Sequence, residues 1–239
     1  MPIIVHGSAP AHGGSDLSPF VVKLETWLRL AGLPYVKKTG GNPASGPKGK
    51  VPWVEVDGIR VGDSALIQAH LIRRSGVRLD EGMTPQETAQ AHLLRRAFEE
   101  GLYFHMVRSR WCEETAWPVQ RAALRALFPP LLGAIVPAIV RRQVRRKAWE
   151  QGVARHSTEE AEAMAVADLD AARAILGDQD YVMGPAPRSV DATVYAFVAG
   201  FQGFAVDSPT RTAALHPTWR AYVGRIRDQY WAEERLVST

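Results

Sequence analysis

Two serines at the starts of predicted helices are the residues best suited to bind an anion. Ser18 is followed by Pro19, a pair typical of an N-cap and first helical position. Asp63 and Ser64 stand in the same way before a second helical run. A helix N-terminus offers unpaired N–H groups and the positive end of the helix dipole, which favour a carboxylate or thiolate. Each pair is also compatible with a plain helix cap, which needs no ligand.

Histidines near the N-terminus raise the question of a metal site. His6, His12 and Asp16 could ligate a cation. No His-Glu-x-x-His motif, cysteine pair or carboxylate-rich loop accompanies them, so we predict no dedicated metal site. The single cysteine, Cys112, excludes an intramolecular disulfide and a cysteine-cage zinc site. We expect Cys112 to be a small buried or half-buried thiol rather than a nucleophile.

A basic run follows an apolar run in the second half of the chain. The net charge is +4, and the excess is concentrated in Arg141–Lys147. Such a run can attract phosphates or anionic lipid, but the solvated end of a helix is the favoured interpretation. Leu124–Val140 is interrupted by prolines and is shorter than the ~20 residues needed to span a membrane. We therefore expect a buried helix there, and neither a membrane nor a nucleic acid as partner.

Residues 1–80 alternate between strand and helix patterns. Two short extended runs are predicted to be strands, Ile3–Val5 and Pro34–Val36. Two further strands, Val51–Val56 and Ile59–Val61, are predicted to form a hairpin around Asp57-Gly58. Helices are predicted to begin at Ser18 and Asp63 and to end at Gly32 and Gly76. Residues 7–17 and 40–50 are rich in turn-forming residues and are predicted to be loops.

From Thr84 onward the strand signals disappear and helical periodicity takes over. Thr84-Pro85-Gln86-Glu87 is a capping box with proline at the first helical position. The predicted helices run from Thr84 to about Trp111 and over Val119–Gln151, Ser157–Leu176, Ser189–Gly203 and Pro217–Trp231. We place the boundary in Arg78–Met83, between an α/β domain of residues 1–80 and an all-helical domain of residues 84–239.

Length and composition are typical of a soluble globular protein. The chain has 239 residues, 46% hydrophobic and 23% charged, which excludes a disordered or low-complexity sequence. At ~150 residues per domain, it can form one large domain or two small ones. The N-terminus lacks the basic start of a signal peptide, so a cytoplasmic location is expected.

Four local features, in this order, resemble the glutathione transferase superfamily. They are Ser18-Pro19-Phe20, Val51-Pro52-Trp53 ahead of a hairpin, Asp63-Ser64 at a helix start, and the helical second half. The details are most similar to the failed-axon-connections/metaxin-related branch. The segments that carry this similarity are residues 18–29, 50–55, 151–157 and 189–192. The resemblance covers nearly the whole chain and implies a thioredoxin-like N-terminal domain followed by an all-helical glutathione-transferase-type C-terminal domain.

The resemblance implies that the first domain binds glutathione and that Ser18 is the catalytic residue. Its hydroxyl would stabilise the glutathione thiolate beside the positive helix end, where a thiol pKa near 8.5 can fall by roughly one to several units. Related thioltransferases carry cysteine at this position, so mixed-disulfide chemistry is not expected at Ser18. Pro52 is expected to be the cis-proline of the fold, with the backbone of Val51 pairing with the ligand like an added strand.

The resemblance also places the two ends of glutathione and the second substrate. Asp63 would meet the γ-glutamyl ammonium group, while Ser64 and the helix amides receive its carboxylate. Lys50, together with Lys48, would neutralise the glycyl carboxylate; the alternative is that they are exposed lysines of a flexible loop. The candidate second-substrate pocket, flanked by His105, Arg108 and Arg110, consists of Tyr103, Val107 and Trp111. Aromatic residues at this helical spacing are also typical of a core.

The sequence departs from the superfamily pattern in two places. The loop Gly7–Leu17 is longer than usual, which bears on the geometry around Ser18. Arg188, three residues before Asp191, stands where a helix-capping serine or threonine is usual.

These assignments predict a glutathione transferase-like enzyme that presents the thiolate to a small electrophile or peroxide. The alternative is a non-catalytic binding module of the same fold, which docks a protein partner or an anionic membrane surface through Arg141–Lys147. A glutathione-dependent reductase is disfavoured because position 18 lacks cysteine. The expected partners are glutathione as co-substrate, a small hydrophobic or electrophilic substrate and, by resemblance, a second copy of the chain. No metal cofactor is expected.

Overall fold

The computed structural model describes residues 2–40 and 43–232, and its strands all precede its long helical region. The four strands are β1 (Ile3–His6), β2 (Tyr35–Lys38), β3 (Trp53–Val56) and β4 (Ile59–Gly62). Helices α1 (Pro19–Leu30) and α2 (Ser64–Ser75) are interleaved with them. The later helices are α3 (Pro85–Arg96), α4 (Tyr103–Trp111), α5 (Trp117–Arg125), α6 (Pro130–Gln151), α7 (Thr158–Leu176), α8 (Ser189–Gly203), α9 (Pro209–Ala214) and α10 (Pro217–Tyr230). The architecture is the predicted thioredoxin-like domain followed by a helical domain.

The sheet brings three chain segments to one edge. Its strand order is β2-β1-β3-β4, with β1 parallel to β2 and antiparallel to β3, and β3 antiparallel to β4. His6 pairs with Trp53, and Trp53 pairs with Gly62, so these three residues form one row across the sheet. We call the segments just beyond this row the site edge. There the chain leaves β1 toward Ser18, leaves β4 at Asp63 and enters β3 from Pro52.

Helix α1 is buried on almost every side. Leu24, Trp27 and Leu28 pack in the core of the sheet domain, whereas Val22 belongs to the core of the helical domain. The indole N–H of Trp27 donates a hydrogen bond to Ser189 Oγ at 3.0 Å. The single apolar face visible in the sequence is therefore only part of what α1 buries, because α8 covers a second face.

Most local signals in the sequence are confirmed. The hairpin turns at Asp57-Gly58, both with positive φ, and Gly76 ends α2 in the left-handed conformation. Thr84 and Glu87 form the predicted capping box. Gly41 and Asn42, in the predicted loop 40–50, and the last seven residues of the predicted domain 84–239 lie outside the described residues. The boundary over Arg78–Met83 stays a prediction.

The prediction of one helix over Val119–Gln151 is wrong. The segment forms two helices, α5 and α6, which are separated by residues 126–129. Pro129 and Pro130 explain the break, because proline has no backbone N–H and disfavours helical conformation in the residue before it. Helix α9 was not predicted, and a π-helical turn over Ala97–Leu102 interrupts the long helix predicted to begin at Thr84.

The prediction that Leu124–Val140 is buried is also wrong. In the first half of α6, Leu131, Ile135 and Ile139 are 83%, 61% and 52% exposed. The break at Pro129 lets α5 and α6 form a hairpin that leaves this face uncovered. The basic run Arg141–Lys147 continues α6 and is largely solvent-exposed, as predicted. Within the described ranges, no helix has the length and hydrophobicity that crossing a membrane requires.

Candidate active site

Ser18 stands at the N-cap of α1 without acting as a cap through its side chain. Its hydroxyl makes no hydrogen bond to the first turn of the helix, and the residue is partly exposed. Its backbone N–H donates to Asp16 Oδ1 at 2.9 Å. The hydroxyl is therefore available to a ligand at the positive end of the α1 dipole.

Ser18 and the predicted second-substrate residues line the same cavity. Tyr103, Val107 and Trp111 from α4 line it together with Ser8, and its volume is about 170 Å³. Burial raises the pKa of the Tyr103 phenol, which keeps the side chain neutral. The structure thus brings together the predicted catalytic serine and the predicted pocket, although 85 residues or more separate them in the chain.

Asp16 is a site residue whose role the sequence did not reveal. Its carboxylate is buried and lies 3.2 Å from Lys37 Nζ, which also donates to Glu25 at 2.8 Å. Desolvation raises the pKa of Asp16 to about 6, against the opposing charge of Lys37. Asp16 was considered only as a metal ligand; the structure instead uses it to hold the backbone of Ser18.

The long loop Gly7–Leu17 is fastened to the helical domain. His12 Nε2 is 2.9 Å from Gln120 Oε1, and its ring packs edge-on against Phe204. Arg110, predicted only to flank the pocket, donates to the backbone oxygens of Leu17 at 3.5 Å and Gly200 at 2.9 Å. Burial lowers the pKa of Arg110 to about 10. These contacts fix the chain just before Ser18.

Asp63 caps α2 with its side chain, so fewer backbone amides at the start of this helix can bind a ligand. Its Oδ1 accepts hydrogen bonds from the amides of Ala65 at 2.9 Å and Leu66 at 3.2 Å. Those two amides already donate to Asp63 and are not free to bind a ligand. Of the groups predicted to receive a carboxylate, Ser64 therefore remains. Asp63 also has a φ of 81°, a left-handed conformation that is costly for a residue other than glycine and is enriched at functional sites.

Ser64 is held from behind by a buried lysine. Lys23 Nζ on α1 lies 3.1 Å from Ser64 Oγ and forms an ion pair with Glu99 of the π-helical turn. Thr193 Oγ1 on α8 donates to the same carboxylate at 3.3 Å. Sequence reasoning missed this cluster. The signal was present, because Lys23 lies one helical turn before Trp27 and thus within the apolar face of α1.

The segment Lys50–Pro52 enters β3 at the site edge. The Val51–Pro52 peptide bond is cis, which confirms the prediction for Pro52. Pro52 is buried and Val51 half-buried, whereas Lys50 and Lys48 are exposed. Among the described residues, neither lysine forms an ion pair. Their assignment to the glycyl carboxylate stays a prediction.

The residues that raised the question of a metal have other contacts. His6 stacks on Trp53 with ring centroids 3.5 Å apart, and His12 is bound to Gln120. The part of the chain that the structure describes contains no group of three His, Cys, Asp or Glu side chains arranged to hold a metal ion. Cys112 is half-buried, as expected, and burial raises the pKa of its thiol.

Comparison with known proteins agrees with this geometry. Residues 19–116 match the family model "Glutathione S-transferase N-terminal domain", and residues 165–226 match "Glutathione S-transferase, C-terminal domain". The chain is 30% identical to an isoprene-epoxide–glutathione S-transferase of Rhodococcus sp. (strain AD45), with 95% of this chain and 99% of that protein aligned. A glutathione transferase structure from Phanerochaete chrysosporium superposes with a TM-score of 0.65 at 16% identity, covering 96% of this chain and 97% of that one.

A second relative supports the predicted branch. The chain is 26% identical to Failed axon connections of Drosophila melanogaster over 94% of its own length. It spans only 57% of that longer protein. The family models, the near full-length relative and the shared fold together confirm the resemblance seen in the sequence: this chain belongs to the glutathione S-transferase family.

Proposed function

We propose that the protein is a glutathione transferase that stabilises the glutathione thiolate with Ser18 and presents it to a small electrophile. The observation that carries this proposal is the uncapped hydroxyl of Ser18, which opens onto a cavity shared with Tyr103 and Trp111. A plain helix cap would instead use that hydroxyl to satisfy the first turn of α1.

Glutathione would lie along the site edge. Its γ-glutamyl carboxylate would accept from Ser64, and its ammonium group would meet the carboxylate of Asp63, of which only Oδ1 is used by the cap. The backbone of Val51 would pair with the cysteinyl part of the ligand, and Lys50 would neutralise the glycyl carboxylate. In this arrangement the thiol would lie toward Ser18, because the segments that carry these residues lead to or from the same row of the sheet.

The reaction would be a nucleophilic addition or displacement. The thiol loses its proton to solvent, and the Ser18 hydroxyl donates a hydrogen bond to the resulting thiolate. The sulfur then forms a C–S bond while the electrophile's bond to oxygen or a leaving group breaks, and an oxygen released as alkoxide takes a proton from water. Holding the two reactants together and lowering the thiol pKa would supply most of the rate.

A small epoxide is the substrate class that we favour, with a peroxide as the alternative. The cavity beside Ser18 is small, at about 170 Å³, and α4 lines it with apolar and aromatic side chains together with Arg110. The Rhodococcus relative is named for an epoxide of similarly small size. We further expect a cytoplasmic enzyme and a homodimer, as the family resemblance implies.

The Ser18→Ala variant tests the proposal. With isoprene epoxide as electrophile, turnover at saturating glutathione should fall by about 100-fold, the usual cost of removing one donor to a developing anion. Glutathione binding, measured by calorimetry, should change little. Ser8→Ala is the matched control, because Ser8 lines the same cavity but does not stand at a helix N-terminus.

Two results would contradict the proposal in different ways. Equal loss in both serine variants would show that the cavity, and not the helix N-terminus, matters. A wild-type protein without glutathione-dependent turnover, toward either isoprene epoxide or a hydroperoxide, would favour the non-catalytic binding module.

A further inference from the structure

A fully buried lysine joins the two domains directly behind the proposed γ-glutamyl pocket. Lys23 has none of its surface exposed, and its Nζ contacts both Ser64 at the start of α2 and Glu99 in the helical domain. Replacing a buried ion pair by apolar residues of similar volume is often neutral or stabilising. Packing alone therefore does not account for a lysine among the buried residues of α1.

The chemistry of the ammonium group sets the direction of the hydrogen bond to Ser64. An ammonium has hydrogens but no lone pair, so Ser64 Oγ must be the acceptor in the 3.1 Å contact with Lys23. The hydrogen of the Ser64 hydroxyl is then directed elsewhere. Among the described residues, no acceptor takes that hydrogen. An incoming carboxylate would find the hydroxyl already turned to donate.

We propose that Lys23 is a positioning residue that directs the Ser64 hydroxyl at the γ-glutamyl carboxylate of glutathione. Glu99 pairs with Lys23 and holds its ammonium group in place, so the helical domain takes part in recognising a ligand that the first domain binds. This inference rests on the proposed function. The chain of bonds from Glu99 through Lys23 and Ser64 to the ligand is charge-assisted at both ends, and each bond polarises the next.

Glu99 belongs to the π-helical turn, and from there its carboxylate contacts Lys23 on α1. The turn over Ala97–Leu102 buries Phe98, Glu99 and Leu102 together. π-Helical turns occur frequently at functional sites. Thr193 on α8 donates to the same oxygen of Glu99 that Lys23 contacts, so the carboxylate is bonded to both Lys23 and α8.

Glu99 also favours the protonated form of Lys23. Burial lowers the pKa of Lys23, and the charge and hydrogen bond of Glu99 oppose that lowering. A neutral amine carries a lone pair and could accept the Ser64 hydrogen, which would turn the hydroxyl away from the ligand. The ion pair thus favours the arrangement in which Lys23 donates to Ser64 and the Ser64 hydroxyl can donate to the ligand.

A double-mutant cycle between Lys23→Met and Ser64→Ala tests the inference in the full-length protein. Calorimetric titration with reduced glutathione should give a Kd about 10- to 100-fold higher for Lys23→Met, as for loss of a hydrogen bond to a charged group. In the Ser64→Ala background, Lys23→Met should add almost nothing. In turnover assays, KM for glutathione should rise while KM for isoprene epoxide and kcat stay unchanged.

A second variant covers the event that Lys23→Met alone does not fold. Lys23→Met combined with Glu99→Gln keeps the side-chain volume and leaves no unpaired buried charge, and it should show the same rise in Kd. Lys38→Met is the matched control, because Lys38 is an exposed lysine on β2. Its glutathione Kd should equal that of the wild type.

The outcomes separate this inference from the proposed function. If the wild type binds glutathione and the Lys23 variants bind it equally well, the inference is overturned and the proposed function stands. If Lys23→Met weakens binding equally with Ser64 present and in the Ser64→Ala background, its role is merely structural and the inference is again overturned. A wild type that binds no glutathione would overturn both.

Discussion

At the scale of single residues, the groups proposed to face glutathione depend on others that hold them in place: Asp16 accepts from the backbone N–H of Ser18, and Lys23 donates to Ser64. Ser18, Asp63 and Ser64 were found because helix starts have local signatures that a short window reveals. Asp16 and Glu99 were missed because their partners are set by tertiary packing across loops and domains. Nothing in the order of residues places Glu99 beside Lys23, 76 positions away.

Asp16 should make the stability of the fold depend on pH. Its folded-state pKa of about 6 lies above its ordinary value of 3.8, so the folded protein holds this proton more tightly than the unfolded chain does. The stabilisation from Asp16 is therefore fully present below about pH 4 and is lost as the pH rises through about 6. At 1.4 kcal/mol per pKa unit, the loss is about 3 kcal/mol.

The Asp16→Asn variant isolates this effect. Urea unfolding of the wild type should show a free energy of unfolding that falls, between about pH 4 and about pH 7, by about 3 kcal/mol more than that of the variant. Asp170→Asn is the control, because Asp170 is an exposed partner of Arg173 and should leave the pH dependence unchanged. Parallel curves for wild type and Asp16→Asn would contradict the prediction.

At the scale of elements, the sequence predicted helix caps and turns well, but it predicted poorly where a long helix is interrupted. The helices that begin at Pro19, Ser64, Pro85 and Ser189 were found because each has a cap residue, a proline at N1 or a glycine end. The π-helical turn has no such signature, and helical periodicity continues through it. Helix α9 was missed because its six residues are too short to show a period.

Arg188 shows how one element compensates for an unusual cap. The family's usual serine or threonine is absent, and the backbone N–H of Arg188 donates to Asp191 Oδ2 at 2.8 Å. Asp191 Oδ1 accepts from the amide of Val182 at 2.9 Å and from the hydroxyl of Tyr222 at 2.8 Å. The start of α8 is thus stabilised by hydrogen bonds to Asp191, its third residue, instead of by the side chain of its N-cap residue.

The end of α8 should tolerate no side chain at Gly203. A Cβ there would overlap the backbone oxygen of His12, in the loop that leads to Ser18. Gly203→Ala should therefore destabilise the protein by about 1–3 kcal/mol and displace the active-site loop. Gly224→Ala, within α10, meets nothing nearer than 3.9 Å and should stabilise the fold by up to about 1 kcal/mol.

Thermal unfolding and turnover of the two glycine variants give opposite expected results. Gly203→Ala should lower both the Tm and kcat, whereas Gly224→Ala should raise the Tm and leave kcat unchanged. Equal Tm values for the two variants would mean that the backbone of His12 does not contact α8 at Gly203 as closely as the structure describes.

At the scale of the whole molecule, α1 belongs to both cores. Its Trp27 lies in the core of the sheet domain and its Val22 in that of the helical domain, while Ala192 of α8 packs into the former. Length allowed one large domain or two small ones, and the loss of strand signals after Thr84 predicted two units. Neither could predict this sharing, because it depends on how two faces of one helix are covered. The exposed face of α6 escaped prediction for the same reason.

The shared helix predicts that the two domains unfold together. Urea unfolding followed by tryptophan fluorescence and by far-ultraviolet circular dichroism should give coincident single transitions. Fluorescence reports on all seven tryptophans, of which Trp27 and Trp53 lie in the sheet domain and the other five in the helical domain. The circular dichroism signal comes mainly from the helical domain. Two separated transitions would show that the domains are independent.

The ion pair between Lys23 and Glu99 limits how freely the two domains can be exchanged between relatives. A chimera that joins this first domain to a helical domain without an acid at the position of Glu99 would bury the ammonium group of Lys23 unpaired. Recombination between diverged genes would therefore succeed only where both halves of the pair travel together or both are absent. One lysine in the first helix thus ties the sheet domain to the start of the helical domain, and the family model that matches residues 19–116 contains both members of the pair.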